Sequence, residues 1–308
     1  MPRILRITLP LALALGALVP AAGGAVTLDG RLDPEYGAPR SVQTTQTQGR
    51  DNNSGFGGAD STGSSFGSEL DLAYGVIAGG NLDLFFAGNL MADFAEFQHQ
   101  DQLHVFLDTR PGGQNVLSAG NPQIGYFPDV GLAALAGLSF DPEFAADYWF
   151  DCTVGVVAPR VYAYEVELSV GGGLLGRTDP GGPGTLVGGV NPGMVRLAVD
   201  NSNGAGVTTG CGAAAPGDVT RGIEWEIPLA AIGNPAGPIR VCAFIGGAFY
   251  NAYLGNQVLG PVLPGICGLG NPAATHFETI AGAQWFTVGD GPVAAPVTSW
   301  GRLKSIYR

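Results

Sequence analysis

The strongest constraint on this chain is an alternation of apolar and polar residues that recurs along its length. ELDLAYGVIAG (69–79) and NLDLFFAGNL (81–90) both alternate, and Gly79-Gly80-Asn81 joins them. A period of two places apolar side chains on one face of a strand, and Gly and Asn tolerate the positive φ angles of tight hairpin turns. We therefore predict a hairpin here, followed by a third strand, DQLHVFLDT (101–109).

The alternation continues along the rest of the chain. Ala158-Pro159 is predicted to turn a second hairpin, between residues 147–157 and 160–170. Helical patterns are confined to residues 91–100 and to a single turn at 228–233. Many strands without long helices indicate a sandwich or a barrel. The later strands of this set are predicted at 193–201, 222–229 and 239–249.

Two Gly-rich stretches separate these strands. Residues 49–68 and 171–193 have the composition of long surface loops. Domain linkers are the alternative, but strands of similar character bracket both stretches, which favours one domain. We predict that residues 26–308 form a single all-β domain. Its expected architecture is an antiparallel β-sandwich, jelly-roll-like, with long Gly-rich loops and few short helices.

Residues 1–25 have the composition of a secretory signal peptide. Arg3 and Arg6 supply a basic start, an apolar run follows, and small residues at 23–25 offer a cleavage site. An uncleaved membrane anchor is the alternative, although Pro10 and Pro20 interrupt the apolar run. No later stretch contains the roughly 18 unbroken apolar residues of a membrane span. We expect a secreted or cell-surface protein with no transmembrane segment in its mature chain.

The chain is acidic, with a formal net charge of −12 that becomes −14 once the two leader arginines are removed. Such a charge repels phosphate backbones and anionic lipid, so nucleic acid is not an expected partner. Acidic side chains also suit calcium, which prefers oxygen ligands. Only 13% of residues are charged while 51 are glycine, which is typical of a turn-rich extracellular β protein.

The chain contains four cysteines, Cys152, Cys211, Cys242 and Cys267. An even number in an exported protein favours disulfides, and three connectivities are open. We favour Cys152–Cys211 with Cys242–Cys267, because the second member of each pair lies in a Gly/Pro-rich loop that is able to reach back. No CxxC pair is present, so a zinc site is not expected.

The opening of the mature chain, VTLDGRLDPEYG (26–37), reads as an edge hairpin with an Asp-Gly turn. This stretch resembles the first strand of secreted β-sandwich modules of the family 9 carbohydrate-binding (DOMON-like) type, with Tyr36 where that family usually has a tryptophan. GIEWEIPLAAIG (222–233) and NLDLFFAGNL are similar to two further strands of that family. The resemblance implies a jelly-roll sandwich that binds sugar by stacked aromatic rings, with calcium as a candidate structural ion. The matching residues are Val26, Asp29, Gly30, Leu32 and Asp33.

Aromatic residues are the candidate ligand-binding groups. A flat exposed ring stacks on the C–H face of a sugar, and neighbouring acids or amides take the hydroxyls. In DYWFD (147–151), a regular strand places Trp149 opposite Tyr148, so we expect one face to be buried and the other to expose a ring. Burial in the core is the alternative for a strand tryptophan. The predicted ligand-binding residues are Tyr148, Trp149, Tyr250, Tyr253 and Trp285.

Oxygen-bearing side chains crowd one of the Gly-rich loops. Asp51, Asn53 and Asp60 are the candidate ligands of a structural calcium ion. The spacing of an EF-hand loop is absent, and solvated turn residues are the alternative. A second, weaker candidate set is Asp141, Asp147 and Asp151.

Two pairs of glutamates are the candidate catalytic groups. Glu165 with Glu167, and Glu224 with Glu226, each share one face of a predicted strand, about 7 Å apart. Glycosidases place two carboxylates about 5–10 Å apart. Acids on the solvated face of a half-buried sheet are the stronger alternative. GSSFG around Ser65 matches a nucleophile elbow, but it lacks the strand and helix that the motif requires.

These observations favour a non-catalytic protein that binds a polysaccharide or a surface glycan. A structural, self-assembling envelope protein is the first alternative, since unpaired strand edges join neighbouring copies. A glycoside hydrolase that uses one of the glutamate pairs is the second. An exposed aromatic platform distinguishes the first interpretation, a long open edge strand the second, and a cleft with facing acids the third.

Overall fold

The computed structural model describes residues 25–46, 68–90, 101–125, 131–154, 160–179, 181–202, 211–214, 216, 219–247 and 254–289. These residues form the strands β1 (Ser41–Val42), β2 (Glu69–Ala78), β3 (Asn81–Asn89), β4 (Asp101–Asp108), β5 (Tyr148–Val154), β6 (Val161–Glu167), β7 (Gly171–Thr178), β8 (Val187–Gly188), β9 (Arg196–Val199), β10 (Gly222–Pro228), β11 (Ile239–Gly247), β12 (Leu254–Leu259) and β13 (Phe286–Val288).

The strands form two antiparallel sheets. The five-stranded sheet has the order β1-β2-β3-β10-β9. The eight-stranded sheet has the order β12-β11-β4-β5-β6-β7-β8, and β13 pairs with β11 beside β12. β13 pairs with the start of β11, at Ile239–Val241, and β12 with its later part. The two sheets pack face to face, so the predicted all-β sandwich is confirmed.

Several local predictions are also confirmed. β2 and β3 form the expected hairpin, in which Ala78 pairs with Asn81. The single turn predicted at 228–233 is a 3₁₀ helix, Leu229–Ile232, that ends at Gly233. The predicted helix at 91–100, the turn at Ala158-Pro159, the loop at 49–67 and residues 1–24 of the leader lie outside the described residues. Within the part of the chain that is described, no helix has the length and apolarity needed to cross a bilayer.

The prediction of one long loop over residues 171–193 is wrong. This stretch contains β7 and β8, which extend the eight-stranded sheet beyond β6. Its glycines permit a close approach between backbones: a Cβ at Gly172 would lie 2.0 Å from the carbonyl oxygen of Glu165 on β6. Glycine here serves strand packing, although in the sequence it resembles loop composition.

The main core lies between the two sheets. Alternate residues of β5 point into it, so Tyr148, Phe150 and Cys152 are buried there, as is Trp225 on β10. Trp225 packs edge-on against Phe150, with ring centroids 5.7 Å apart. The remaining residues of this core come from both sheets, which is the packing expected of a sandwich.

A second core covers the outer face of the eight-stranded sheet. Trp149, Phe106 and Phe244 point away from the five-stranded sheet. Side chains from residues 117–146 and 262–277 pack over them, including Phe140 and Phe277. Residues Tyr148–Thr153 of β5 are therefore buried on both faces, and the expectation that one face of this strand exposes a ring is wrong.

The outer face of the five-stranded sheet is covered by the strap, which we define as residues 26–37. Glu224 on β10 is fully buried beneath it. One carboxylate oxygen of Glu224 accepts hydrogen bonds from the backbone N–H groups of Asp29 (2.9 Å) and Gly30 (2.8 Å), and the other accepts from the Tyr36 hydroxyl (2.8 Å). Tyr36 packs against Tyr74 and Phe85. The Asp-Gly turn thus delivers two N–H donors to a buried carboxylate.

The predicted disulfide pairing is wrong. Cys211 is bonded to Cys267, and Cys152 and Cys242 are free and buried. Cys152 points into the core between the sheets, whereas Cys242 points into the core on the outer face of the eight-stranded sheet. Because a bridge requires side chains that face each other, neither thiol has a partner. Burial raises the pKa of both thiols, which makes them poor nucleophiles.

Candidate functional site

Two grooves flank the loop Pro235–Pro238, which connects the 3₁₀ helix after β10 to β11. The arginine groove, of about 860 Å³, lies between this loop, the end of β4 and Trp285. The strap groove, of about 730 Å³, lies between the same loop, the strap and the end of β2. Both volumes are in the range of ligand pockets, so the side chains that line each groove decide what it can hold.

Arg240 is held in place on one wall of the arginine groove. It lies opposite Asp108 across the β4–β11 pairing, and its Nη1 is 2.9 Å from Asp108 Oδ2. The guanidinium carbon lies over the Trp285 ring, 5.2 Å from the ring centre. The carboxylate and the ring fix the orientation of the guanidinium, although the Arg240 side chain is still 42% exposed.

Arg110, which also lines the arginine groove, is held in a similar way. Its Nη2 is 2.7 Å from Glu167 Oε1, its Nη1 donates to the Tyr148 hydroxyl, and its carbon lies 5.2 Å from the Tyr148 ring centre. Asp147 Oδ2 accepts hydrogen bonds from the backbone N–H groups of Thr109 and Arg110, which fixes the turn after β4. The ion pair with Glu167 raises the pKa of Arg110. The groove therefore has two guanidinium groups in fixed orientations.

The arginine groove combines donors, acceptors and an aromatic surface without a net charge. The two arginines are balanced by Asp108 and Glu143, which also line it. Asn234 and Thr109 add an amide and a hydroxyl. Arg110 and Arg240 can only donate hydrogen bonds, and the carboxylates can only accept them. A ligand that complements this lining needs both donors and acceptors, spaced a few ångströms apart.

Of the three predicted ligand-binding aromatics that the structure describes, one is placed where a ligand can reach it. Trp285 is half-buried and lines the arginine groove. The predictions for Tyr148 and Trp149 as stacking platforms are wrong, because they are only 3% and 0% exposed. The Tyr148 ring nevertheless contacts the Arg110 guanidinium. Trp149 Nε1 lies 3.2 Å from Nδ1 of the buried His104. Tyr250 and Tyr253 lie outside the described residues.

The calcium prediction stays a prediction. Asp51, Asn53 and Asp60 lie outside the described residues. The second set is dispersed: Asp141 accepts from the backbone N–H of Gln284, Asp147 fixes the turn after β4, and Asp151 lies 3.0 Å from His104. No cluster of three or more His, Cys, Asp or Glu side chains suited to a metal ion occurs among the residues that can be described.

Glutamates of the two predicted catalytic pairs make contacts that stabilise the fold. Glu224 holds the strap, and Glu226 forms an ion pair with Arg196 at 3.2 Å. Burial raises the pKa of Glu224 to about 7, against the lowering effect of its three hydrogen bonds. Burial, together with the neighbouring Glu167, raises the pKa of Glu165 to about 7. Neither Glu165 nor Glu224 lines either groove.

A Ser-His-Glu cluster was not anticipated from the sequence. Ser139 Oγ lies 2.8 Å from His276 Nδ1 and donates to Glu278 Oε2 at 2.7 Å. A catalytic triad binds the serine and the acid at different nitrogens of the imidazole, whereas here Nδ1 of His276 lies 2.8 Å from Ser139 Oγ and 3.5 Å from Glu278 Oε1. Ser139 and His276 also form a parallel backbone bridge. The cluster therefore joins two surface segments that cover the outer core.

Comparisons with known proteins provide no relative: no family model, curated protein or solved structure matches this chain.

Proposed function

We propose that this protein is a non-catalytic glycan-binding β-sandwich whose ligand site is the arginine groove. The observation that carries the proposal is the pair of half-exposed arginines, each held between a carboxylate and an aromatic ring, that face one groove beside Trp285. Ligand sites of this kind place a few oriented polar groups in a concave surface.

The chemistry of the groove suits sugar hydroxyls. A hydroxyl both donates and accepts, so an Asp108–Arg240 pair can engage two adjacent hydroxyls, one through the carboxylate and one through the guanidinium. The Arg240 guanidinium, stacked over the Trp285 ring, is a flat surface against which the C–H face of a sugar ring can pack. The balanced charge of the lining favours neutral sugars over polyanions.

The proposal predicts that the chain binds neutral polysaccharides and that Arg240→Ala weakens binding at least about tenfold, or ~1.4 kcal/mol. The measurement is a glycan-array and insoluble-polysaccharide pull-down, with and without calcium. Arg196→Ala is the matched control, since Arg196 is also an ion-paired strand residue, 39% exposed, but lines neither groove. Equal binding by both variants, or no binding to any glycan, would contradict the proposal.

A second candidate function is self-assembly through the edge of the eight-stranded sheet. The short edge strand β8 and the turn after it expose apolar side chains: Val187, Val190 and Met194 are 56%, 78% and 73% exposed. Such an edge is a surface on which a second copy can add a strand. Concentration-dependent assembly that is abolished by Val187→Lys, together with no glycan binding, would favour this candidate.

A further inference from the structure

The strap groove lies where the described chain leaves the sandwich. β13 ends at Val288, which pairs with Ile239, and Gly289 then lines the groove. Gly289 has a φ of +89°, and a Cβ at this position would lie 2.8 Å from Cδ1 of Ile77. The chain therefore passes directly between Ile77 and Pro238, which line the same groove.

The lining of this groove is mostly apolar. Val76, Ile77 and Leu229 supply aliphatic surface, and Pro235 and Pro238 form the opposite wall. Glu35 and Arg40 are its charged members, so the lining has no net charge. The contrast with the arginine groove points to an apolar occupant.

The 19 residues beyond Gly289 have a matching composition. After Asp290 they contain the apolar, proline-containing run GPVAAPV (291–297). Pro-rich segments lose little conformational entropy when they bind in extended form along grooves that contain aromatic and proline residues. The segment ends in RLKSIYR (302–308), which carries three of the 14 basic residues of the chain.

The charges of the two chain ends are complementary. The strap carries Asp29, Asp33 and Glu35 against Arg31, for a net charge of −2. The segment 290–308 carries Arg302, Lys304 and Arg308 against Asp290, for a net charge of +2. In a chain with a net charge of −12, a basic segment beside an acidic strap is attracted to it.

We propose that residues 290–308 dock in the strap groove of their own chain. Residues 291–297 lie against Val76, Ile77 and Leu229, and the basic end lies along the strap. The docked segment occupies the groove beside the strap. This inference does not depend on glycan binding, because the two grooves have separate linings apart from the Pro235–Pro238 loop.

The test is hydrogen–deuterium exchange of the full chain and of two double variants. Val293→Asp with Val297→Asp removes apolar anchors, whereas Thr298→Asp with Ser299→Asp adds the same charge at polar positions of the segment. We expect at least about fivefold faster exchange at 36–40, 76–78 and 235–238 in the first variant than in the second. A peptide of residues 290–308, added in trans, should restore protection in the first variant.

Two results would overturn the inference. The first is equal exchange at these positions in all three proteins, since an empty groove is indifferent to the segment. The second is protection that rises with protein concentration together with dimers in solution, because the groove would then hold the segment of a second copy.

Discussion

The arginine groove and the strap groove share the Pro235–Pro238 loop as a wall and are similar in volume, yet they differ in chemistry. The arginine groove is lined where β4 ends and β11 begins, at Asp108 and Arg240, with Trp285 beside them. The strap groove is lined by the apolar end of β2 and by a segment added to the outer face of the sheet. In the arginine groove, the ends of strands supply charged groups in fixed orientations. In the strap groove, the end of β2 and a segment that covers the sheet supply a mostly apolar surface.

The largest expected effect comes from breaking the wall of the strap groove. Glu224→Ala leaves three hydrogen-bond donors without their acceptor and should lower the free energy of unfolding by about 3 kcal/mol. The measurement is urea unfolding. Glu226→Ala, which removes only a partly exposed ion pair, should cost less than about 1 kcal/mol. Equal losses in the two variants would show that the strap does not depend on Glu224.

A change of pH should act on the strap side through its buried carboxyls. Burial raises the pKa values of Asp83 and Glu224 to about 7, from ordinary values near 4. A carboxyl group whose pKa is higher in the folded than in the unfolded protein stabilises the fold while it is protonated. This stabilisation is complete at low pH and is lost as the pH rises through about 7. The melting temperature should therefore fall by at least about 5 °C from pH 5 to pH 8.

The variant Asp83→Asn tests the cause of that pH dependence. The substitution removes one of the carboxyl groups with a raised pKa and keeps the shape of the side chain. The melting temperature of the variant should therefore vary less between pH 5 and pH 8 than that of the wild type. An unchanged slope would assign the pH dependence to other groups.

The smallest expected effect comes from a conservative change in the arginine groove. Arg240→Lys keeps the charge beside Asp108 but loses the flat guanidinium over Trp285. We expect glycan binding about threefold weaker, since an exposed cation–π contact contributes about 0.5–1 kcal/mol, with little change in stability. Calorimetric titration measures it. Binding as weak as that of Arg240→Ala would instead assign the whole contribution to guanidinium hydrogen bonds.

Sequence periodicity predicted the positions of individual strands, but not the distant strands with which some of them pair. The β2–β3 hairpin and the course of β10 and β11 follow from alternation that is visible in short windows. β7 was missed because Gly171–Gly173 resembles a loop, whereas its glycines serve close strand packing. For Trp149 the sequence left burial and exposure as alternatives, because the residues that cover it are distant in sequence.

The candidate site was only partly predictable for the same reason. Trp285 was anticipated as an aromatic ligand-binding residue, but Arg240 and Asp108 are 132 residues apart and meet only through the pairing of β4 with β11. The one available signal was a charged residue, Arg240, within the apolar run IRVCAFIGG. The Asp-Gly turn of the strap is visible in the sequence. Glu224, which accepts a hydrogen bond from the backbone N–H of Gly30, lies 194 residues away and was not predictable as its partner.

The measurement that tests glycan binding at the arginine groove most directly is fluorine NMR of the protein labelled with 5-fluorotryptophan. The chain has four tryptophans, and Trp149 and Trp225 are fully buried while Trp285 lines the groove. Titration with neutral oligosaccharides should shift the Trp285 resonance, assigned by Trp285→Phe, and leave those of Trp149 and Trp225 in place. A saturable shift confined to Trp300, or no shift at any tryptophan, would contradict glycan binding at the arginine groove.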